Sequence, residues 1–371
     1  MISSVPSASS VVKRSEQPTP AALGYRMPAE WEAHAATWLA WPHNRADWPG
    51  KFQPIPWVYA DIVRHIARGE RVSIVVNDPA HQRSAERTLK QANVSQENVG
   101  FFRWKTDRVW TRDSGPIFLV GDQEPKLAAT HWQFNAWAKY RDYKNDEKLP
   151  RLIARKLQIR SFQPEITAEG TRRRVVLEGG SIDVNGQGTL LTSEECLLSE
   201  VQQRNPGISR EQLEELFLHF LGISKTIWLG KGIAGDDTHG HIDDFARFVA
   251  ANKVVLAVES SASDANYAPL KDNLRLLRAA TDQDGKSLDV IELPLPSPVT
   301  FREQRLPASY ANFYIANAAV LVPTFNDPND RAALNILADL FPNREVIGIY
   351  CGDFIWGLGA IHCATQQQPA V

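Results

Sequence analysis

Gly357-Leu358-Gly359-Ala360-Ile361-His362-Cys363-Ala364-Thr365 lies close to the end of the printed sequence, and we interpret the rest of the chain from it. Chain ends usually fray, but this segment follows turn-forming glycines and continues as an apolar, strand-like stretch up to Gln366. Clusters of acidic residues and histidines lie far upstream. A fold that carries Cys363 to those clusters would make it a nucleophile, although free cysteines are also often buried for packing alone.

We expect the neighbouring His362 and the other two cysteines to be structural. Alternation along a strand would place His362 on the opposite face from Cys363. Cys196 precedes an apolar leucine pair, and Cys351 closes an apolar run. Three scattered cysteines cannot form a disulfide framework, which favours a reducing cytoplasm.

Composition excludes several classes of function. The 371 residues are 43% hydrophobic and 23% charged, which is ordinary for a globular enzyme. The net charge of -2 gives no electrostatic footprint for nucleic acid or an anionic membrane. No apolar run approaches the roughly 18 residues that span a bilayer. Residues 1–24 lack a secretory apolar region, so we expect a disordered leader and a single catalytic domain over 25–371.

Strand-like and helical segments follow each other along the chain without a linker that divides it. The predicted strands are Arg71–Val76, Ile117–Val120, Arg174–Leu177, Thr189–Thr192, Lys225–Leu229, Lys253–Val258, Val320–Val322 and Glu345–Ile349. The predicted helices are Trp57–Ala67, Ala80–Gln91, Asn145–Leu157, Arg210–Leu221, Tyr267–Ala280 and Asp330–Leu340. This pattern by itself predicts an α/β or α+β fold with mixed sheets.

The first chemically informative segment is Trp110-Thr111-Arg112-Asp113-Ser114-Gly115-Pro116. Gly-Pro predicts a turn, so Trp110 and Asp113 would lie on a loop that leads into the next strand. An aromatic face beside a carboxylate suits a planar cation, because the ring stacks and the carboxylate accepts N–H bonds. An Arg112–Asp113 ion pair beside a core tryptophan is the competing interpretation.

The second segment is Leu177-Glu178-Gly179-Gly180-Ser181, which follows an apolar run. A carboxylate before paired glycines lies where the backbone lets a ligand approach closely. A solvated glutamate at an ordinary strand end fits the same pattern.

The densest ionisable cluster is Gly235-Asp236-Asp237-Thr238-His239-Gly240-His241-Ile242-Asp243-Asp244. In an extended segment, His239, His241 and Asp243 would share one face, and such density is typical of functional sites. One hypothesis is a metallohydrolase that uses these three ligands, since the pattern resembles the metallo-β-lactamase-like hydrolases in part. The other makes His241 a general acid/base beside a thiolate, with Asp243 holding a cationic substrate, and Cys363 favours it.

Taken together, these segments resemble the agmatine deiminase and bacterial-type peptidyl-arginine deiminase family of guanidino-group-modifying enzymes. Trp-x-Arg-Asp-x-Gly-Pro, Glu-Gly-Gly, Gly-Asp-Asp-Thr-x-Gly-His-Ile-Asp and Ile-His-Cys occur in that order. The similarity begins at Met27 and covers nearly all of the chain after the leader. It implies an α/β fold, namely a five-bladed pentein-type α/β propeller of ββαβ units with a central active site.

The resemblance also implies roles for individual residues. Cys363 would be the nucleophile and His241 the general acid/base. Asp113 and Asp243 would bind the guanidinium group, with Glu178 as a third, supporting anion.

The remaining implied contacts concern the rest of the substrate. Trp110 would stack on the guanidinium plane, and Asp237, with Asp236, would accept the distal amine of agmatine. No metal and no organic cofactor is expected. The expected partner is a small-molecule guanidine, without nucleic acid or membrane, and the resemblance suggests a homodimer.

The leading functional hypothesis is therefore agmatine deiminase, which forms N-carbamoylputrescine and ammonia through a covalent amidino-cysteine. Deimination of another guanidine, such as C-terminal peptidyl arginine, is the alternative, because Leu358 and Ala360 replace the glycine and asparagine usual in agmatine deiminases. Leucine adopts positive φ less freely than glycine, and its bulk could narrow the pocket mouth.

Overall fold

The structure is a computed structural model that describes residues 18–168 and 171–371. Residues 1–17 of the predicted leader lie outside the described residues. The last part of that leader contains the 3-10 helix Ala21–Leu23, which ends at Gly24 with φ of 81°. The strand Tyr25–Arg26 follows at once, so the chain enters a sheet at the start of the predicted domain.

The described residues form 21 strands, which we name β1 to β21 in chain order. They are Tyr25–Arg26, His34–Ala40, Arg71–Val76, Val99–Arg103, Ile117–Gly121, Leu127–Thr130, Arg160–Phe162, Glu165–Ala168, Thr171–Arg174, Asp183–Val184, Thr189–Ser193, Lys225–Leu229, Ala246–Ala250, Lys253–Val258, Asp289–Pro294, Thr300–Phe301, Gln304–Arg305, Tyr314–Ile315, Ala319–Thr324, Glu345–Tyr350 and Gln366–Pro369.

The same residues form eight α-helices, named α1 to α8, and five 3-10 helices. The α-helices are Ile55–Ile66, Pro79–Gln91, Thr111–Ser114, Leu149–Leu157, Glu194–Leu197, Arg210–Leu221, Tyr267–Ala279 and Asp330–Leu340. The 3-10 helices are Ala21–Leu23, Asp146–Lys148, Gly179–Ser181, Ile242–Asp244 and Phe354–Gly357. α6 shows how sequence sets a boundary, because Ser209 and Gln212 form a capping box at its first turn.

Five sheets of the described chain repeat one connection. In each, an antiparallel pair is followed by a parallel strand that the chain reaches through a helix. Four of them are β5-β6-β7, to which β1 adds, β10-β11-β12, β13-β14-β15 and β18-β19-β20. The fifth is β21-β2-β3-β4, in which the chain reaches β3 and β4 through α1 and α2. Parallel neighbours need such crossovers, which explains the regular alternation of strands and helices.

The fifth sheet joins the two ends of the described chain. β21 pairs antiparallel with β2, so that Trp38 lies opposite Gln366. β2 is buried at six of its seven positions, because it lies between β21 and β3. The largest apolar cluster contains Trp38, Trp48 and Trp110 as well as Cys363. The sheet therefore carries the segment around this cysteine into the interior.

Most predicted elements are confirmed, and the mixed α/β class with them. The predicted bounds of α6, α8, β3, β12 and β14 match the structure. The predicted strand Arg174–Leu177 is wrong, since β9 ends at Arg174 and Val176 forms only an isolated bridge to Gln133. The strand-like interpretation of residues 358–365 is also wrong, because none of them lies in a strand and residues 361–364 form a turn. In the described parts of the chain, no helix is long and apolar enough to cross a membrane.

Candidate active site

A cavity of about 330 Å³ brings together four of the predicted site residues. Its walls include Trp110, Asp113, Asp237 and Cys363. Further aromatic walls come from Trp137, Tyr140 and Trp356. The mixture of apolar walls with a few acidic groups and one thiol is typical of a small-molecule site.

Cys363 reaches this cavity in a turn. The preceding 3-10 helix, Phe354–Gly357, is capped by Leu358, which takes the left-handed conformation with φ of 66°. Leu358 also lines the cavity. The Cys363 side chain is almost fully buried, and Asn312 Nδ2 lies 3.1 Å from its Sγ. The amide oxygen of Asn312 accepts the backbone N–H of His362 at 3.0 Å. Asn312, which no sequence motif indicated, therefore holds the turn and contacts the thiol.

Asp113 lies in the single-turn helix α3, where a loop was expected. Its Oδ2 accepts the indole N–H of Trp137 at 2.9 Å, and its Oδ1 accepts the backbone N–H of Gly180 at 3.0 Å. The Arg112–Asp113 ion pair is wrong, because the guanidinium of Arg112 points away and binds Glu30 at 3.2 Å. Two neutral donors thus fix the carboxylate on the cavity wall. No motif in the sequence pointed to Trp137.

Gly180 explains the need for paired glycines after Glu178. A Cβ atom at Gly180 would lie 2.6 Å from His241 Nδ1 and 2.8 Å from Asp113 Oδ1. Real side chains do not approach so closely, so only glycine lets the imidazole and the carboxylate converge on this backbone.

His241 is surrounded by carboxylates. Its Nδ1 is 3.8 Å from Asp113 Oδ1 and 3.9 Å from Asp243 Oδ1, and its Nε2 is 3.7 Å from Glu178 Oε2. The ring is fully buried, and neither nitrogen has a hydrogen-bond partner among the residues that the structure describes. The imidazole is therefore held mainly by the charge of the carboxylates around it.

The electrostatics favour an imidazolium at this position. Burial lowers the pKa of His241, but Asp113, Cys196 and Glu178 raise it by more, so that it lies well above its usual value. Burial has the opposite effect on Glu178 and raises the pKa of its carboxyl group. The positive charges of Arg204 and His241 outweigh burial and bring this pKa down to about 2. The Nε atom of Arg204 lies 3.1 Å from Glu178 Oε1. Glu178 is therefore an anion behind His241.

Asp243 connects the thiol to a second buried histidine. Its Oδ2 lies 3.7 Å from Cys363 Sγ and 2.6 Å from His362 Nδ1. The other ring nitrogen of His362 is 2.7 Å from Glu30 Oε2. Burial raises the pKa of Asp243, but His362 and His241 lower it below its usual value. His362 was expected to be structural, and sequence analysis missed its contact with this carboxylate.

The free protein keeps the thiol protonated. Burial raises the pKa of Cys363 well above its usual value, and the acidic groups of Asp243, Asp244 and Asp113 raise it further. A cation bound between these acids and the sulfur would act in the opposite direction and favour the thiolate.

The two predicted amine-binding acids have different surroundings. Asp237 lines the cavity, and its carboxylate binds the ammonium of Lys139 and the Tyr140 hydroxyl, the latter at 2.6 Å. Asp236 instead accepts backbone N–H groups of its own loop, including that of Gly240 at 2.6 Å. The structure therefore brings Asp237 to the cavity and assigns Asp236 to the support of the loop that carries His241.

Of the three ligands of the metallohydrolase hypothesis, His241 and Asp243 lie close together, but His239 does not join them. His239 has φ of 65°, and its Nε2 lies 3.1 Å from Ser199 Oγ. In the described chain, two groups of ligand-type residues have atoms within 4.8 Å of one another; one contains His241 and the other Asp243, and neither contains His239. Cys196, expected to be structural, lies in the group around His241.

Comparison with known proteins places this site in a family. The family model of Porphyromonas-type peptidyl-arginine deiminases matches residues 26–369. The chain belongs to this deiminase family. The agmatine deiminase of Stutzerimonas stutzeri (strain A1501) is 36% identical, over 95% of this chain and 97% of its own length. The resemblance drawn from the four motifs is thereby confirmed.

Solved structures agree with this membership of the peptidyl-arginine deiminase family. The agmatine deiminase of Enterococcus faecalis is 30% identical with a TM-score of 0.86, over 96% of this chain and 99% of that chain. A C. jejuni agmatine deiminase with substrate bound is 30% identical with a TM-score of 0.80, over 93% and 96% of the two chains. These structures share the mixed α/β fold over nearly the whole chain.

Proposed function

We propose that this chain is an agmatine deiminase, which hydrolyses agmatine to N-carbamoylputrescine and ammonia. The proposal depends on one observation: Cys363 and Asp113 line one cavity, and Asp243 and His241 lie directly beside them, with Asp243 Oδ2 3.7 Å from the Cys363 sulfur and His241 Nδ1 3.8 Å from Asp113 Oδ1. Nucleophile, proton donor and cation acceptors are the groups that this hydrolysis needs. The names of the Stutzerimonas stutzeri and Enterococcus faecalis relatives support the choice of substrate.

Substrate binding prepares the nucleophile. Asp113 and Asp243 accept N–H bonds from the guanidinium group, and Trp110 covers its plane. The positive charge then lies beside a sulfur that burial and acidic neighbours otherwise keep protonated. It lowers the pKa of the Cys363 thiol, whose proton leaves to solvent as the substrate enters.

The first half of the reaction releases ammonia. The thiolate attacks the guanidinium carbon, an S–C bond forms, and the π electrons move onto nitrogen. His241, protonated between Glu178 and Asp113, donates its proton to the departing amino group. The C–N bond breaks, ammonia leaves, and an amidino group remains on Cys363.

The second half returns the enzyme to its starting state. Neutral His241 takes a proton from water as the oxygen adds to the amidino carbon. The C–S bond then breaks, its electron pair returns to the Cys363 sulfur, and the remaining hydroxyl proton of the adduct passes to that sulfur, which releases neutral N-carbamoylputrescine and restores the thiol.

The purified chain tests this proposal directly. Incubation with agmatine should release ammonia and N-carbamoylputrescine in equal amounts, and intact-mass spectrometry after brief exposure should find an amidino adduct on the peptide that contains Cys363. A peptide with a C-terminal arginine serves as the comparison substrate. Turnover of that peptide but not of agmatine would assign the chain to peptidyl-arginine deimination instead.

We further infer that the five sheets are the blades of a five-bladed pentein-type propeller, formed as one domain over residues 25–371. A regularity of the site supports this arrangement, because each sheet begins just after a site residue. Two to four positions before the first residue of β5, β10, β13, β18 and β21 lie, in turn, Asp113, Gly180, Asp243, Asn312 and Cys363. The scattered cysteines favour a cytoplasmic location, which cell fractionation would test, and the family resemblance supports a homodimer, which light scattering would test.

A further inference from the structure

Asp237, on the cavity wall, is paired with an ammonium group that belongs to the protein itself. Lys139 forms an ion pair with Asp237 Oδ1, and the Tyr140 hydroxyl donates to Oδ2 at 2.6 Å. Both carboxylate oxygens of Asp237 therefore already have a partner within the protein. The Asp237 side chain is 15% exposed, whereas Lys139 is 41% exposed and has solvent into which it can move.

An unusual turn delivers Lys139 to this acid. Three consecutive residues, Ala136, Trp137 and Ala138, have positive φ of 52°, 58° and 55°. L-residues rarely adopt this conformation, so surrounding contacts must hold the turn. Asn135 Oδ1 accepts the backbone N–H of Ala138 at 2.9 Å, and the Trp137 indole N–H donates to the carboxylate of Asp113. One short segment therefore contacts two acids of the cavity wall, Asp113 through Trp137 and Asp237 through Lys139.

The neighbouring arginine does not share this role. Arg108 lies with its Cζ 4.2 Å from the Tyr140 ring centroid, and its two terminal nitrogens bind Asp47 and Asp142. Its side chain is only 13% exposed. Arg108 and its partner Asp47 also line the cavity, but Lys139 is the more exposed of the two cations and is the one paired with Asp237.

Lysine and agmatine have chemically equivalent tails. A lysine side chain is four methylene groups that end in an ammonium, and agmatine carries four methylene groups and an ammonium beyond its guanidino group. Two ammonium groups cannot share one carboxylate in close contact without repulsion. A substrate that presents its tail to Asp237 must therefore displace Lys139.

We propose that Lys139 is a specificity-determining residue that competes with the distal ammonium of the substrate for Asp237. The inference rests on the proposed function and adds a consequence to it. Guanidines without a distal charge enter without breaking the Lys139–Asp237 pair, whereas agmatine must break it. Lys139 thereby reduces the preference of the protein for agmatine, which carries two positive charges, over guanidines that carry one.

Lys139→Met tests this competition, because methionine keeps a long side chain and removes the charge. KM and kcat are measured for agmatine and for n-butylguanidine, which has the same four-carbon chain without the amine. Exposed ion pairs contribute up to about 1 kcal/mol, so KM for agmatine should fall by up to about fivefold. KM for n-butylguanidine and both kcat values should stay unchanged. Lys144→Met, at a lysine that is 68% exposed and paired with Glu147, is the matched control.

A second background separates local competition from a general change of field. In Asp237→Asn the negative charge for which the two ammonium groups compete is gone, so adding Lys139→Met should leave KM for agmatine unchanged. An equal fall in KM for both guanidines would show a long-range charge effect and overturn the inference. So would an unchanged or higher KM for agmatine. If the unmodified chain turned over neither guanidine, the proposed function would fail and the inference with it.

Discussion

Replacing Trp137 by phenylalanine removes one N–H group from the site and keeps an aromatic ring. That N–H donates to Asp113 Oδ2 at 2.9 Å in a buried position. Burial raises the pKa of Asp113 to about 6, against the opposing effect of His241, and the indole hydrogen bond lowers it. The other titratable groups that interact with this carboxyl are Asp243, Glu178, Asp244 and Cys363.

The size of the effect follows from the hydrogen bond. A hydrogen bond to a charged group contributes about 1.5–3 kcal/mol, and one pKa unit corresponds to about 1.4 kcal/mol. Its loss should therefore raise the pKa of Asp113 by about one to two units. The ionised carboxylate is the form that binds the guanidinium. With a higher pKa, Asp113 becomes protonated earlier as the pH is lowered, and kcat/KM falls with it. The acid limb of the pH profile of kcat/KM should therefore move up to about pH 7–8.

The assay is the pH dependence of kcat/KM for agmatine, which reports the free enzyme. Trp132→Phe is the matched control, because its indole donates to Thr130 Oγ1 at 2.9 Å outside the cavity. We expect Trp137→Phe to regain most activity at alkaline pH and to lose it near neutrality. An acid limb at the same pH in both variants, or a uniform loss at every pH, would refute this account of Asp113.

Three further predictions concern the nucleophile and the backbone. Cys363→Ser should lower ammonia release by more than about a thousandfold and still bind agmatine in calorimetry, and near-normal turnover would remove the nucleophile assignment. Asn312→Ala should raise the pKa of the Cys363 thiol and lower kcat by about a hundredfold. The raised pKa would appear as a shift of iodoacetamide alkylation to higher pH. An unshifted alkylation profile would contradict the contact between Asn312 and the Cys363 sulfur. Ala138→Gly should raise the free energy of unfolding by about 1 kcal/mol, because glycine relieves the left-handed strain. Ala338→Gly, in the exposed face of α8, should lower it by about the same amount, and denaturant unfolding that shows two equal losses would count against strain at the turn.

The sequence predicted the elements whose local signals agree with their packing. α6 and α8 have clear amphipathic patterns and N-terminal boundary residues, and their predicted bounds are confirmed. β2, His34–Ala40, was missed, because it is buried on both faces and lacks alternation. The segment before Cys363 was misread as a strand for a related reason. The apolar residues there are buried in a turn, and hydrophobic periodicity alone cannot distinguish a buried turn from a buried strand.

The candidate site was predictable where residue types carry the chemistry and not where geometry does. Cys363, His241 and Asp113 stood out as reactive groups in dense motifs. Asn312 and Trp137 did not, because an asparagine or a tryptophan in an apolar run has no local signature. Their roles arise only when the fold places an amide 3.1 Å from a sulfur or an indole 2.9 Å from a carboxylate.

The pairing of β21 with β2 has a consequence during protein synthesis. The indole of Trp38 donates to Gln368, 330 positions further along the polypeptide. Until the ribosome has released those late residues, β2 keeps one unpaired edge, which is a template for association with other nascent chains. We therefore expect the earliest strands to wait longest for their final neighbour, and chaperone protection to matter most while translation is still under way.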